Sequence, residues 1–154
     1  MSAAPGGPAA TREPEYVGFW ARVAAALLDT VWVTLLLLPL LALVGGPGYF
    51  TLEHALSATP SLRENLVSYG IPAVVVIAFW RRTLATPGKM AIGAQIVDAD
   101  TFGKPGFGQL LVRYLGYYVS TIPLGLGLIW VAFDPRKQGW HDKLANTVVI
   151  RIRR

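Results

Sequence analysis

Apolar and polar positions alternate along the chain in long blocks, which predicts three apolar segments joined by short polar ones. The first, about Val17 to Val44, contains "GFWARVAAALLDTVWVTLLLLPLLALV". As a helix it would extend about 40 Å, more than the ~30 Å hydrocarbon core of a bilayer, so it must tilt, kink or project. Pro39 is the candidate kink, and "GGPG" at 45 to 48 ends the helix. The second run, "LVSYGIPAVVVIAFW" at 66 to 80, closes on Arg81 and Arg82, with Trp80 expected in the interfacial aromatic belt. The third, 107 to 133, is interrupted by "STIPLGLG".

Between the second and third runs, "AIGAQIVD" suits a strand and "DADTFGKPG" a tight connection. The C-terminal "DPRKQGWHDKLANTVVIRIRR" opens with a turn, continues as a short helix and finishes in the β-branched "NTVVIRI", a second strand. The pattern predicts an all-α membrane protein: two transmembrane helices plus a Pro/Gly-broken third apolar segment, a helical hairpin or re-entrant pair, with a short cytoplasmic β element. Residues 1–15, small, polar and Pro-rich, are expected to be a disordered tail; 16–150 form the membrane domain and 151–154 a basic end.

Composition supports this reading: 53% of residues are hydrophobic and 15% charged. The absence of cysteine excludes thiolate nucleophiles, thiolate metal sites and disulfides. No HExxH, Walker loop, GxSxG or strand-linked GxGxxG is present, and no nucleophile and base pair is recognisable, so no enzyme and no cofactor is expected. The net charge of +5 comes mostly from residues flanking apolar runs, where it reports topology rather than a nucleic-acid partner.

Arg81, Arg82, Lys89 and Lys104 follow the second run, and Arg136, Lys137, Lys143, Arg151, Arg153 and Arg154 lie in the tail, whereas the first linker has Arg63. The positive-inside rule sends both basic segments to the cytoplasm. Three simple crossings would separate them, so the third segment is expected to return at Pro123, Gly125 and Gly127, with Arg113 shallow or covered by protein. A single kinked helix is the alternative.

Two charges interrupt the first run. Arg22 and Asp29 are seven residues apart, on nearly one helix face and about 10 Å apart along the axis. Arg22 is expected to snorkel to the headgroups; Asp29 lies deeper, where an ionised carboxylate costs about 2.5–3.5 kcal/mol. Gly18, Ala25 and Ala26 make the same face small enough for close approach by another helix. Asp29 is either half of a structural clamp or a carboxylate that binds a cation or relays protons. The tail adds Asp134, Gln138, His141 and Asp142, with His141 and Asp142 able to form a carboxylate–imidazole pair that titrates near neutrality. At least one of Arg113 and the His–Asp pair is expected to approach the Arg22 and Asp29 face.

In order and spacing, "GFWARVAAALLD", "TPGKMAIGAQIVDADTFGKP", "VRYLGYY" and "FDPRKQGWHDKLANTVVI" resemble the RDD family of membrane proteins, named for one arginine and two aspartates, from about Tyr16 to Val149. The resemblance implies that Arg22 and Asp29 are the family's arginine and first aspartate, with Asp142 the second and Asp134 its rival. It also implies a transport role, with sodium–proton exchange proposed for some members. Two readings follow. One is transport of a monovalent cation or small ligand at Asp29, which in so small a chain requires a homo-oligomer. The other is a scaffold in which Arg22 and Asp29 clamp helices. Both place a multi-pass protein in the cell membrane, in contact with the lipid bilayer.

Overall fold

The computed structural model describes residues 14–57 and 59–152, so the predicted disordered tail up to residue 13 and the terminal Arg153 and Arg154 lie outside the described residues. Helix α1 (Phe19–Gly45) runs 27 residues, continues through Pro39 and stops where Gly46 takes a left-handed φ of 75°. Alanine and leucine supply its helix propensity, and a positive φ at the end suits glycine. A short α2 (Leu52–Ser57) occupies the linker. Helix α3 (Leu62–Asn65) begins with a Ser61–Glu64 capping box and passes through a π-helical stretch, Leu66–Gly70, into α4 (Ile71–Thr83).

Leu84 turns left-handed (φ 60°) and is followed by the five-residue α5 (Pro87–Ala91). Pro87 takes the first helical position, where a missing N–H removes no hydrogen bond. Strand β1 (Ala94–Asp98) comes next, then α6 (Phe107–Thr121) and α7 (Leu126–Ile129), which passes into a 3₁₀ turn. Finally α8 (Trp140–Leu144) leads to β2 (Thr147–Arg151). The fold is mostly helical with a small sheet, as the apolar pattern predicts.

Two stretches, Phe19–Gly45 and Leu62–Ala91, are long and apolar enough to cross a membrane, and α6 and the Leu126–Ala132 segment form a third apolar unit bent by 112°. The bend is made at Leu124 and Gly125, both left-handed (φ 54° and 75°), after Pro123. Gly127 serves differently from expectation: it is a contact surface, where a Cβ would stand 2.6 Å from Ser120 Cα. The span helices are packed as a bilayer solvent allows. In α1 only Ala25 is buried, while Leu27, Val31, Leu35 and Leu43 expose apolar side chains.

The buried apolar core lies at the end of the bundle where the chain segments converge. Strands β1 and β2 pair antiparallel in the register Ala94↔Arg151, Ile96↔Val149 and Asp98↔Thr147. Tyr16 bridges Ile150 on the other edge of β2, and Val17 N–H donates to Val149 O at 2.9 Å. The segment before α1, the loop before α6 and the tail after α8 are therefore one hydrogen-bonded unit. Val17, Trp80, Ala94, Ile96, Leu110 and Val149 form its apolar core. Trp80 is thus a core residue, 2% exposed, rather than a belt residue, because α4 turns it onto α6, where it stacks on Tyr117 with centroids 6.0 Å apart.

Candidate functional site

The charged residues separate into two groups. The first is built on Asp142, which is fully buried in α8. Its Oδ2 accepts from Arg22 Nη1 at 2.5 Å and from Gly139 N–H at 2.9 Å, and its Oδ1 accepts from Arg113 Nη1. Arg113 Nη1 also donates to Thr147 Oγ1 at 2.6 Å. Its guanidinium carbon lies 5.4 Å from the Trp80 ring centre and 5.8 Å from that of Tyr117, a cation–π arrangement for the nitrogens Nε and Nη2 that make no hydrogen bond. Arg22 does not snorkel. Its Nε donates to Val17 O at 3.0 Å and Nη2 to Lys137 O at 2.6 Å, so its five-donor fork ties the N-terminus of α1 to the C-terminal segment.

Burial opposes the charge of Asp142, but Arg113 and then Arg22 outweigh it and hold the carboxyl well below the ordinary range. His141 stacks on Tyr117 at a centroid distance of 4.0 Å, and its Nε2 lies 3.5 Å from Asp142 Oδ2, the pair anticipated in the sequence. The expected titration near neutrality is not found. Burial, which Asp142 only partly offsets and the arginines reinforce, pushes the imidazole down to about 3, so it is neutral. Close approach of α6 and α8 depends on Gly116, where a Cβ would lie 2.8 Å from His141 Cα.

Asp134 belongs to neither group. It accepts from the backbone N–H of Arg136 and Gln138, both at 3.1 Å, and pairs with Lys143, which shapes the turn before α8. Burial raises its carboxyl, and Lys143 more than compensates, for a net lowering.

The second group surrounds Asp29. Its Oδ1 accepts from Gly88 N–H at 2.7 Å and Trp32 Nε1 at 2.8 Å, and its Oδ2 from the Thr86 hydroxyl at 2.5 Å. Of the partners expected for it, neither Arg22, Arg113 nor the tail forms an ion pair with Asp29 among the described residues. The small face of α1 does accept a close neighbour: Gly88 of α5 sits against the Ala25 carbonyl and the Asp29 carboxylate, leaving no room for a Cβ. Lys89 was counted among the loop charges, yet it is 8% exposed. Proline at the first helical position draws Thr86, Gly88 and Lys89 into one turn against α1, so the charge is turned inward.

Asp29 and Lys89 both line a pocket of about 410 Å³ between α1, α4 and α6, walled by Trp32, Trp80, Tyr114 and Tyr117. Its volume and its few polar groups among aromatic walls are those of a small-molecule site. Thr86, Gly88, Lys89 and Tyr117 were not singled out in the sequence. The helix start signal in "TPGKM", a threonine before Pro–Gly, was the one cue available.

Apolar helices of spanning length, gathered at one end by a small sheet and a buried arginine–aspartate cluster, define a small helical membrane protein. The chain belongs to the RDD family, whose sequence model matches residues 16–146. It is similar to the uncharacterized membrane protein YteJ of Bacillus subtilis, 34% identical over 88% of this chain and 80% of that one. It is 40% identical to the uncharacterized protein RP437 of Rickettsia prowazekii over 49% of this chain, which covers 41% of that protein's length. A proline-rich antigen homolog of Mycobacterium tuberculosis is 26% identical over 89% of this chain and 64% of its own. No solved structure matches.

Proposed function

We propose that this chain binds a small ligand in the pocket bounded by Asp29 and Lys89 and moves it across the cell membrane. The observation that carries the reading is that two oppositely charged side chains from different segments face one aromatic-walled cavity of ligand size. Asp29 already accepts three hydrogen bonds, which favours a ligand held by the pocket as a whole over a bare alkali cation at the carboxylate. Pairing of β2 with both β1 and the segment before α1 favours a third segment that returns to its starting side, because those strands must share one face of the bilayer. With the exposed Arg81, Arg82 and Lys104 on that face, it is the cytoplasmic one. A pathway through so few spans calls for association of copies.

The second reading, a membrane scaffold, is favoured by one observation: Arg22, Arg113 and Asp142 are spent on each other and on backbone groups. Proteoliposomes with an entrapped pH-sensitive dye, challenged with sodium, potassium or phosphate gradients, separate the two. Transport predicts flux under at least one gradient, abolished by Asp29→Asn and by Lys89→Met in variants that still melt cooperatively. Absence of flux under every gradient, with loss of folding on Asp29→Asn, favours the scaffold; flux intact in Lys89→Met shows transport that does not run through this pocket.

A further inference from the structure

At the end of the bundle that carries the sheet, the two groups together hold three buried or nearly buried cations, Arg22, Lys89 and Arg113, and two carboxylates, Asp29 and Asp142. Asp142 serves both arginines, and Asp29 is occupied by Thr86, Gly88 and Trp32. Lys89 is left over. Among the described residues its ammonium forms no ion pair, and its one hydrogen bond is a long 3.5 Å contact to Thr86 Oγ1. A buried ammonium with spare donors calls for a counter-charge, since desolvation without one is strongly unfavourable.

A second cavity, of about 130 Å³, adjoins it. Arg22, Lys89, His141 and Tyr117 supply its polar lining, Phe19 and Val131 are among its apolar walls, and no carboxylate lines it. His141 gives an independent sign of a missing acceptor. The Ser120 hydroxyl oxygen accepts from the backbone N–H of His141 at 3.1 Å and lies 3.3 Å from Nδ1, a geometry that allows it to donate to Nδ1 while the neutral ring carries its hydrogen on Nε2. Nε2 is buried and makes no hydrogen bond; the Asp142 Oδ2 that lies 3.5 Å from it already accepts from Arg22 and Gly139. Ala26, Lys89 and Tyr117 line this cavity and also the 410 Å³ pocket, whose walls are mostly aromatic and aliphatic.

We infer that the smaller cavity receives a singly charged oxyanion, held by Lys89 Nζ, His141 Nε2–H and Arg22, and that the larger pocket receives the apolar body attached to it. The ligand class is an amphipathic carboxylate or phosphate ester, supplied either as a free amphiphile or as a membrane lipid. This rests on reading the larger pocket as ligand-bearing. The small cavity equals about four water volumes at ~30 Å³ each, room for an oxyanion head and not for a bulky one. Without the ligand Arg22 keeps its bonds to Asp142, Val17 O and Lys137 O, whereas Lys89 has one long contact and His141 Nε2 none, so those two residues decide recognition.

The test uses the full chain in an uncharged maltoside detergent, with 12-bromododecanoate and its uncharged analogue 12-bromododecanol as probes. Bromine quenches tryptophan, and Trp32 and Trp80 line the larger pocket. The acid is expected to quench at concentrations roughly tenfold or more below the alcohol. Lys89→Met should erase the difference, Lys89→Arg should keep it, and Val23→Phe, which fills the small cavity without touching a donor, should block the acid and spare the alcohol. In nanodiscs, Lys89-dependent quenching by brominated phosphatidylglycerol but not phosphatidylcholine identifies a lipid occupant; quenching by the acid alone identifies a free amphiphile. Equal binding of acid and alcohol overturns the anion site while leaving the pocket a ligand site. Quenching by neither probe overturns both.

Discussion

Arg22 and Asp142 stand 120 positions apart in the chain and meet at 2.5 Å, with the carboxylate wholly buried and the guanidinium side chain 12% exposed. The contact joins the start of the first span to the last helix, and Arg113 closes it from α6. Asp142→Asn removes the shared counter-charge from two arginines, one of them fully buried. It is expected to cost about 3–5 kcal/mol of stability, the usual result of stranding a buried charge. Arg22→Met, which leaves Arg113 paired with Asp142, should cost less, about 1–3 kcal/mol. Thermal melts in detergent check the order; equal effects would contradict it.

Gly88→Ala places a methyl group against the Ala25 carbonyl and the Asp29 carboxylate. Overpacking of this kind costs about 1–3 kcal/mol, and relief requires α5 to move off α1. The Trp32 indole, which shares the Asp29 Oδ1 with Gly88, should report the shift as a change in emission. Unchanged emission and stability would show that α5 does not pack there.

His141 is held neutral in the folded protein, with its imidazole pushed down to about 3 by burial, whereas an unfolded histidine titrates near 6.5. Between these values the unfolded chain binds the extra proton, so stability falls as pH drops below about 6.5 and is unaffected by this group above it. The slope from one such group is at most about 1.4 kcal/mol per pH unit. Melting temperatures of the wild type should therefore fall more steeply from pH 6.5 to 4.5 than those of His141→Gln. Parallel curves would count against a buried neutral ring.

Because the natural chain has no cysteine, single introduced cysteines report sidedness directly. Lys104→Cys, before α6, and Leu144→Cys, after the bent segment, should both be labelled by an impermeant maleimide from the cytoplasmic side. Leu56→Cys in the linker should be labelled from the other. Labelling of residues 104 and 144 from opposite sides would show that α6 and α7 cross as one kinked span.

The apolar runs, the end of the first helix and both strands were legible in the sequence because each is set by local chemistry, whereas the second run, read as 66 to 80, belongs to a longer stretch, Leu62–Ala91. Apolar runs of spanning length admit few structures in a bilayer, GGPG stops a helix, and "NTVVIRI" alternates as a strand does. Arg113 was legible as a residue needing cover, since an arginine inside an apolar run demands it. Its partner was not, because nothing in "VRYLGYY" distinguishes a bond to Asp142 from one to Asp29.

The same limit explains the reversal at Arg22 and Lys89. By position, Arg22 could reach headgroups and Lys89 could sit in a polar loop. Tertiary structure turned Arg22 toward Lys137 O and Asp142, and the Pro87 helix start rotated Lys89 into the bundle. The sequence by itself determined which segments are apolar, where helices stop and which charges lie where a bilayer penalises them, all properties of neighbouring residues. Only the tertiary structure decided which charge meets which, since a sheet that ties Tyr16 and Ala94–Asp98 to β2 sets those pairings across more than a hundred residues of chain.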